Sequence, residues 1–295
     1  MINLDGLEVW AGLGGASLDA ANIVVAGIAY DGSAVYRKGA ALAPDRIRTL
    51  SAVMPPTLEE GTLLKGLRVH DLGNLPAGPE IEHGWPAITD ALAAVPKEKV
   101  LTVLGGDHCI AIASIAAQAR RHPDVAVLWF DAHPDLCDFS RGGRWTCGCA
   151  LRRALEVAHV KPAQVALVGA RDFDPEEVEF IEQNAMLMIS TRGLVADPAD
   201  ALARVKAWLE GRPLHISFDI DVLDPAFAPG TEVPSGGGIS TRQAIDFLNG
   251  ICEGSELVGL DVVEISPPID NVDITTFAAL KCIFEFWGWA VDGNG

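Results

Sequence analysis

Three short segments of the chain carry closely spaced side chains that can ligate metal ions. They are Gly105-Gly106-Asp107-His108, Asp131-Ala132-His133-Pro134-Asp135 and Asp219-Ile220-Asp221. Each follows an apolar run that is typical of a buried strand. In an extended segment, residues i, i+2 and i+4 point to the same side. Asp131, His133 and Asp135 are therefore expected to share one face.

The candidate ligands are two imidazoles and four carboxylates: His108, Asp131, His133, Asp135, Asp219 and Asp221. This set is large enough for two divalent ions. Its oxygen-rich character favours Mn²⁺ over Zn²⁺, and its imidazoles also suit Ni²⁺. Two such ions, held about 3.5 to 4 Å apart, lower the pKa of a bridging water and prepare it to attack an electrophilic carbon. One segment alone is more often a turn or a helix cap, but three at strand ends indicate a shared crevice.

Apolar runs, many of them β-branched, recur along the chain and predict eight strands: Ile23–Tyr30, Leu67–His70, Val100–Leu104, Val125–Phe130, Val165–Val168, Leu187–Ile189, Leu214–Phe218 and Leu257–Leu260. Segments with helical spacing lie between them: His83–Val95, Ile110–Arg121, Ala150–Val157, Glu176–Asn184, Ala199–Leu209, Arg242–Cys252 and Thr275–Trp289. This alternation predicts an α/β fold with a mainly parallel sheet and helices on both faces.

Hydrophobic periodicity does not distinguish a closed eight-stranded barrel from an open, doubly wound sheet. Both architectures place functional groups at the carboxyl ends of the strands. The chain has no internal repeat, low-complexity tract or long linker, so we expect a single catalytic domain over residues 1–295.

The charge of the chain favours some partners over others. Its 22 basic and 40 acidic residues give a formal net charge of -18, which repels nucleic acid and anionic membrane surfaces and attracts small cations. Six cysteines in 295 residues are too few for a disulfide scaffold, and the sequence has no secretory pattern or uncharged apolar stretch long enough for a membrane span. We therefore expect a cytoplasmic protein that acts on a small molecule.

The segments GGDH, DAHPD and SFDIDVLDP resemble the metal-binding signatures of the ureohydrolases, the family of arginase, agmatinase, guanidinobutyrase and formimidoylglutamase. Gly27–Gly32, Tyr36–Ala40 and Pro44–Arg48 are similar to the agmatinase N-terminal region. Leu260–Pro268 is similar to the LD-x-x-E-x-x-P segment of the family. The resemblance covers nearly the whole chain.

This resemblance implies an open eight-stranded sheet, two Mn²⁺ ions at the six ligands, and trimers or hexamers. It implies that Glu264 holds the substrate guanidinium, for which a planar anionic partner is suited. It also implies that Asp135 hydrogen-bonds the attacking water and passes its proton to the leaving amine. Asp174 corresponds to a residue that contacts the amino end of the substrate in arginases. His215 lies two pleats before Asp219, and we expect it to pack behind the ligands or to support one of them.

The chain departs from the family pattern around the expected pocket. Cys147 replaces the histidine that shuttles protons, and its higher ordinary pKa makes it a poorer relay at neutral pH. Cys147 and Cys149 could also form a Cys-x-Cys metal site, a redox pair or two plain buried thiols. Cys137 replaces an asparagine that binds the α-carboxylate of arginine. Glu232 and Val233 replace the more usual Gly-Thr, and Glu232 either attracts a cationic group or faces solvent.

The sequence therefore predicts a binuclear metal-dependent hydrolase of a guanidino or amidino C–N bond, which releases urea and an amine. Agmatine is the leading candidate substrate. One alternative is another guanidine or formimino compound, of the guanidinobutyrate, guanidine or formimidoylglutamate type. The other, which the absent histidine motivates, is an inactive metal-binding subunit of a mixed oligomer.

Overall fold

The computed structural model describes residues 7–34 and 36–292. Its eight strands form one sheet in which every neighbouring pair is parallel, in the order β2-β1-β3-β8-β7-β4-β5-β6. The strands are β1 (Ile23–Gly27), β2 (Val69–Asn74), β3 (Val100–Leu104), β4 (Ala126–Phe130), β5 (Val165–Ala170), β6 (Leu187–Ser190), β7 (Leu214–Asp219) and β8 (Leu257–Val263). Because β2 and β6 are the two edges, the sheet is open and the barrel alternative is wrong.

Nine helices connect and cover the described strands. They are α1 (Ala43–Ser51), α2 (Ile81–Ala93), α3 (Ala111–Arg121), α4 (Ala150–Ala158), α5 (Pro175–Gln183), α6 (Thr191–Ala196), α7 (Pro198–Leu209), α8 (Thr241–Cys252) and α9 (Ile274–Asp292). Hydrophobic spacing did not predict α1 and α6. The first has few apolar positions among its nine residues, and the second is only six residues long, so neither shows a clear period.

Some predicted strand ends are also wrong. The strand predicted over Ile23–Tyr30 ends at Gly27, because the backbone after it bonds to the loop that follows β3. The N–H of Gly106 donates to the carbonyl of Ile28 at 3.0 Å, and that of Asp107 donates to Tyr30 at 2.8 Å. β2 starts at Val69, two residues later than predicted, and continues to Asn74, beyond the predicted end at His70. β8 likewise continues beyond Leu260 to Val263.

The sheet lies between two apolar layers. Residues of α1, α8 and α9 pack on one face, and residues of α2, α3 and α4 pack on the other. The longest helix, α9, has the length and apolar composition that a membrane span needs, but 72% of its apolar 18-residue segment is buried within the protein. It is therefore packed as a core helix.

The register of the sheet sets four strand ends level with one another. One row of paired residues across the central strands consists of Leu104, Val262, Phe218 and Phe130. Asp131 and Asp219 follow this row directly, and Glu264 follows it by two residues. The candidate ligands thus come from the adjacent strands β3, β8, β7 and β4, and the parallel direction puts all of them at one edge.

Gly106 brings the backbones of these strand ends close together. A Cβ atom at this position would lie 1.7 Å from the carbonyl oxygen of Tyr30, which is a backbone clash. The carbonyl of Gly106 also accepts the N–H of Glu264 at 2.8 Å. A side chain at residue 106 would therefore displace both neighbouring segments.

We expect Gly106→Ala to lower the free energy of unfolding by at least about 1–3 kcal/mol, which is the usual cost of overpacking a tight site. Gly236→Ala is the matched control, because a Cβ there meets nothing within 4 Å. Denaturant unfolding of both variants measures the difference. Equal stability of the two variants would contradict the close approach seen at Gly106.

Candidate metal centre and active site

The structure brings the predicted ligands together in two groups that share one carboxylate. In the first group, His108 Nδ1 lies 3.0 Å from Asp131 Oδ2, 3.0 Å from Asp219 Oδ2 and 3.4 Å from Asp135 Oδ2. In the second, His133 Nδ1 lies 3.0 Å from Asp221 Oδ2 and 3.5 Å from Asp131 Oδ1. The two oxygens of Asp131 thus face different groups, which is the arrangement expected of a carboxylate shared by two cations.

Hydrogen bonds to the backbone orient three of these aspartates. Oδ1 of Asp131 accepts the N–H of His133 at 2.6 Å. Oδ1 of Asp219 accepts the N–H of Asp221 at 2.8 Å, and Oδ1 of Asp221 accepts that of Ala132 at 3.2 Å. In all three aspartates the other oxygen, Oδ2, lies 3.0 Å from an imidazole Nδ1. The local turns therefore hold one oxygen of each carboxylate and aim the other at the centre.

Two atoms of the first group lack a partner of the kind that a bound cation would supply. His108 Nδ1 and Asp131 Oδ2 are buried and have no hydrogen-bond partner among the described residues. A buried polar atom without a partner costs about 1–3 kcal/mol, and a charged one costs more. A cation ligated by both atoms removes this cost, and the set of imidazoles and carboxylates suits Mn²⁺ or Ni²⁺.

Burial and mutual repulsion oppose ionisation of the carboxyl groups at this centre. Burial and then the charge of Asp131 raise the pKa of Asp135 well above its ordinary value, and burial and then Asp221 do the same for Asp219. Burial acts to raise the pKa of Asp131, but the imidazoles of His108 and His133 together outweigh it, so the pKa is lowered. Burial acts to lower the pKa of His108, but the carboxylates of Asp131, Asp135 and Asp261 together raise it to about 9. Bound cations would keep these carboxylates ionised.

A chain of hydrogen bonds behind His108 fixes the orientation of its ring. His108 Nε2 lies 3.0 Å from the hydroxyl of Ser217, which donates to Asp261 Oδ1 at 2.6 Å. Asp261 Oδ2 lies 2.8 Å from His215 Nε2. The ring of His108 also stacks on Trp129 at a centroid distance of 3.9 Å. His215 therefore lies behind the ligands, and these contacts turn Nδ1 of His108 toward the centre.

Glu264 and Cys147 form the wall of the pocket beside the ligands. Glu264 Oε1 accepts the N–H of His108 at 2.7 Å. The Sγ of Cys147 and carboxylate oxygens of Glu264 and Glu232 lie within 4.8 Å of one another. Glu232 is 1% exposed, so the alternative that it faces solvent is wrong.

Two residues of the site have a strained backbone. Asp135 has φ 52° and Glu264 has φ 64°, in the left-handed region that residues with a side chain rarely adopt. The N–H of Glu264 is held by Gly106, and the carbonyl of Asp135 accepts the N–H of Arg152 at 3.1 Å. Such strain persists where the surroundings impose it, which is common at functional sites.

The mouth of the pocket contains the residues expected to contact the substrate tail. The pocket has a volume of about 330 Å³, and Cys137 and Asp174 both line it. Cys137 is buried and donates to Asp174 Oδ2 at 3.4 Å, whereas Asp174 is exposed. Cys149 is buried and does not line the pocket, and its Sγ lies 3.8 Å from the carbonyl of Gly143.

The sequence did not single out several polar residues that support this site. Ser33 donates to Asp107 Oδ2 at 2.8 Å and lies 3.1 Å from the Sγ of Cys147, so it joins the N-terminal segment to the pocket wall. Ser217 and Asp261 hold His108 from behind. Asp261 belongs to the LD-x-x-E-x-x-P segment, but we predicted no role for it from the sequence; a further signal was its place inside an apolar strand, which is unusual for an acidic residue without a buried partner.

Comparison with known proteins identifies the family. The family model described as Arginase family matches residues 21–288. The chain belongs to the arginase family. Among curated members, this arginase-family protein is 33% identical over 273 residues to guanidinopropionase of Pseudomonas aeruginosa, covering 88% of this chain and 83% of that protein. It is 32% identical to the human mitochondrial guanidino acid hydrolase (91% and 77%) and 30% identical to agmatinase of Bacillus anthracis (92% and 93%).

Solved structures of the arginase family share the architecture. Proclavaminate amidino hydrolase of Streptomyces clavuligerus matches with a TM-score of 0.88 at 26% identity, covering 98% of this chain and 99% of that one. Agmatine ureohydrolase of Thermoplasma volcanium matches with a TM-score of 0.83 at 25% identity, covering 97% and 94%. The predicted family, eight-stranded α/β fold and enzyme class are confirmed: this is a hydrolase of guanidino C–N bonds, in a family that depends on a binuclear metal centre.

We expect His133→Ala to bind only one of two metal ions, because it removes a ligand of the second group and leaves the first intact. Activity should fall by more than about 100-fold, since outer contacts of metal ligands alone are worth 10- to 100-fold. Asp219→Ala removes a ligand of the first group and should lose metal and activity likewise. Elemental analysis of Mn²⁺-loaded protein measures the number of metal ions bound per chain.

His83→Ala is the matched control, because His83 is exposed on α2 and, among the described residues, forms an ion pair with Glu80 alone. It should bind metal like the unmodified protein. Two ions per chain in His133→Ala would show that His133 is not a ligand.

Proposed function

We propose that this protein is a Mn²⁺-dependent hydrolase that releases urea from a small cationic guanidino compound, with agmatine as the leading candidate. The observation that carries the proposal is that the two ligand groups meet beside one pocket, which Glu264 lines together with His133, Asp135, Asp219 and Asp221. The two ions would be held by His108, Asp131, Asp135 and Asp219 and by Asp131, His133 and Asp221. When bound, such a pair supplies an activated water at neutral pH and stabilises the charge of the transition state.

Glu264 positions the guanidinium in this proposal. One of its oxygens accepts the N–H of His108, but an ionised carboxylate has about four acceptor sites, so capacity remains for substrate N–H groups. Charge-assisted, two-point contacts of this kind orient a planar cation strongly. The left-handed backbone at Glu264 and the bond from its N–H to Gly106 restrict where the carboxylate can lie. A fixed anchor places the central carbon of the substrate against the water.

Proton transfer would be divided between Asp135 and Cys147. Asp135 is 6% exposed and faces the first ligand group, so it can hold a proton and pass it to the leaving amine. The thiol of Cys109, burial and the charge of Glu264 raise the pKa of Cys147 well above its ordinary value. Cys147 therefore stays a thiol at neutral pH, which can donate a hydrogen bond but is a weak base. We infer a slower proton exchange than an imidazole would give.

The tail of the substrate would lie at the mouth of the pocket. Asp174 is an exposed carboxylate there, which suits the ammonium end of agmatine. Curated relatives are named for guanidinopropionate, guanidino acids and agmatine, so the class of the tail varies among similar chains. We also propose a cytoplasmic homo-oligomer, a trimer or hexamer. The six cysteines are all free thiols, which supports a reducing compartment.

A screen of urea and ammonia release tests the proposed function. Agmatine, guanidinobutyrate, guanidinopropionate, guanidine and formimidoylglutamate would be supplied to protein loaded separately with Mn²⁺ or Ni²⁺. We expect urea from at least one guanidino compound and higher activity with Mn²⁺. Two bound ions without activity on any compound would contradict the proposal and support the inactive-subunit alternative.

We expect Glu264→Gln to retain both metal ions and to lose at least about 100-fold in kcat/KM, because it removes a charge-assisted contact worth about 3 kcal/mol. Elemental analysis and steady-state kinetics measure the two effects. Full turnover in this variant would show that another group anchors the guanidinium.

A further inference from the structure

Glu232 lies directly across from Glu264. An isolated antiparallel bridge pairs Thr231 with Ile265, and the N–H of Ser266 donates to the carbonyl of Gly230 at 2.7 Å. In an antiparallel pairing, the residue after one bridge partner faces the residue before the other. Glu232 and Glu264 are therefore opposite one another, and they are only 1% and 6% exposed.

Two glutamates in this arrangement repel one another. Like charges directly opposite across an antiparallel pair are destabilising, and burial removes the water that would screen them. Among the described residues that line the pocket, Arg141 is the one Lys or Arg, and its side chain is exposed. The pair thus suits an incoming cation that contacts both carboxylates.

The backbone also fixes Glu232 in place. Its Oε1 accepts the N–H of Tyr36 at 3.1 Å, so the carboxylate is held from the N-terminal segment as well as from its own strand. One of its oxygens, one oxygen of Glu264 and the Sγ of Cys147 lie within 4.8 Å of one another. All three residues line the same pocket as the metal ligands. Both carboxylates can therefore reach one small planar group.

We propose that Glu232 is the second carboxylate of a guanidinium clamp, and that this clamp selects guanidino over formimino compounds. The inference rests on the proposed function, in which Glu264 is the first anchor. A guanidinium has three nitrogens and, even with an alkyl tail, five N–H donors. It offers one edge to Glu264 and another to Glu232. A formimino group has two nitrogens and a C–H where the third would be, so it has one edge with two N–H donors and can give a two-point contact to only one carboxylate.

The chemistry predicts a strong preference. A site built to hydrogen-bond a substrate N–H rejects an analogue that lacks it, because a buried polar group then faces no donor. The contact of Glu232 is made in the bound state as well as the transition state, so its loss should raise KM more than it lowers kcat. This split distinguishes a clamp residue from one that only maintains the shape of the site.

Binding of two small cations to the metal-loaded protein tests the clamp. Guanidinium and formamidinium are the probes, with affinity measured by calorimetry and by competitive inhibition. We expect the unmodified protein to prefer guanidinium, and Glu232→Gln to weaken guanidinium binding by roughly 10- to 100-fold while formamidinium changes by no more than a few fold. KM for the guanidino substrate should rise by a similar factor.

Glu179→Gln is the matched control, because it makes the same change at an exposed glutamate of α5 outside the pocket lining. It should leave the ratio of the two affinities unchanged. If Glu232→Gln does not fold with its metal, Glu232→Gly replaces it, since glycine is the more usual residue there in the family that the sequence resembles.

The outcomes separate the clamp from the proposed function. If the Glu232 variants keep the same ratio of guanidinium to formamidinium affinity as the unmodified protein, the clamp is overturned, even if the protein releases urea. Absence of urea release by a protein whose guanidinium preference disappears with Glu232 would overturn the proposed function and leave the clamp supported.

Discussion

The structure depends on one electrostatic constraint: several carboxylates are buried together at the ends of the central strands. Asp131, Asp135, Asp219, Asp221 and Glu264 are at most 6% exposed. Two imidazoles do not neutralise them, and buried charges without partners are costly. Bound cations and a cationic substrate therefore belong to the stable form of this site, and the acidic pocket is explained by what it holds.

The sheet converts this constraint into a defined geometry. Four adjacent parallel strands end at the same level, so ligands from distant parts of the chain meet without long loops. Short backbone hydrogen bonds then orient individual oxygens, and the chain from Ser217 to Asp261 orients His108. The left-handed residues Asp135 and Glu264 lie at this rim, where the surroundings are rigid enough to impose strain.

The pocket wall is where this arginase-family protein departs from the pattern that its sequence resembles. Cys147 lies beside Ser33 and Cys109, and its pKa is raised well above the ordinary value, so it cannot act as a histidine would. Glu232 adds a second buried carboxylate beside Glu264. The ligand groups set the class of reaction, whereas the roles that we propose for these wall residues concern which cation fits and how quickly protons move.

The sequence by itself determined the α/β class, the eight strands, the family and the six candidate ligands, because strand periodicity and closely spaced ligands are local features of the chain. It did not decide between a barrel and an open sheet, since strand order depends on contacts between distant segments. It also left open whether Glu232 was solvated, and it did not indicate that Asp261 supports His108. Only the tertiary structure decided these points, because burial, pairing across strands and the sharing of Asp131 between two ligand groups exist only once separate segments have packed together.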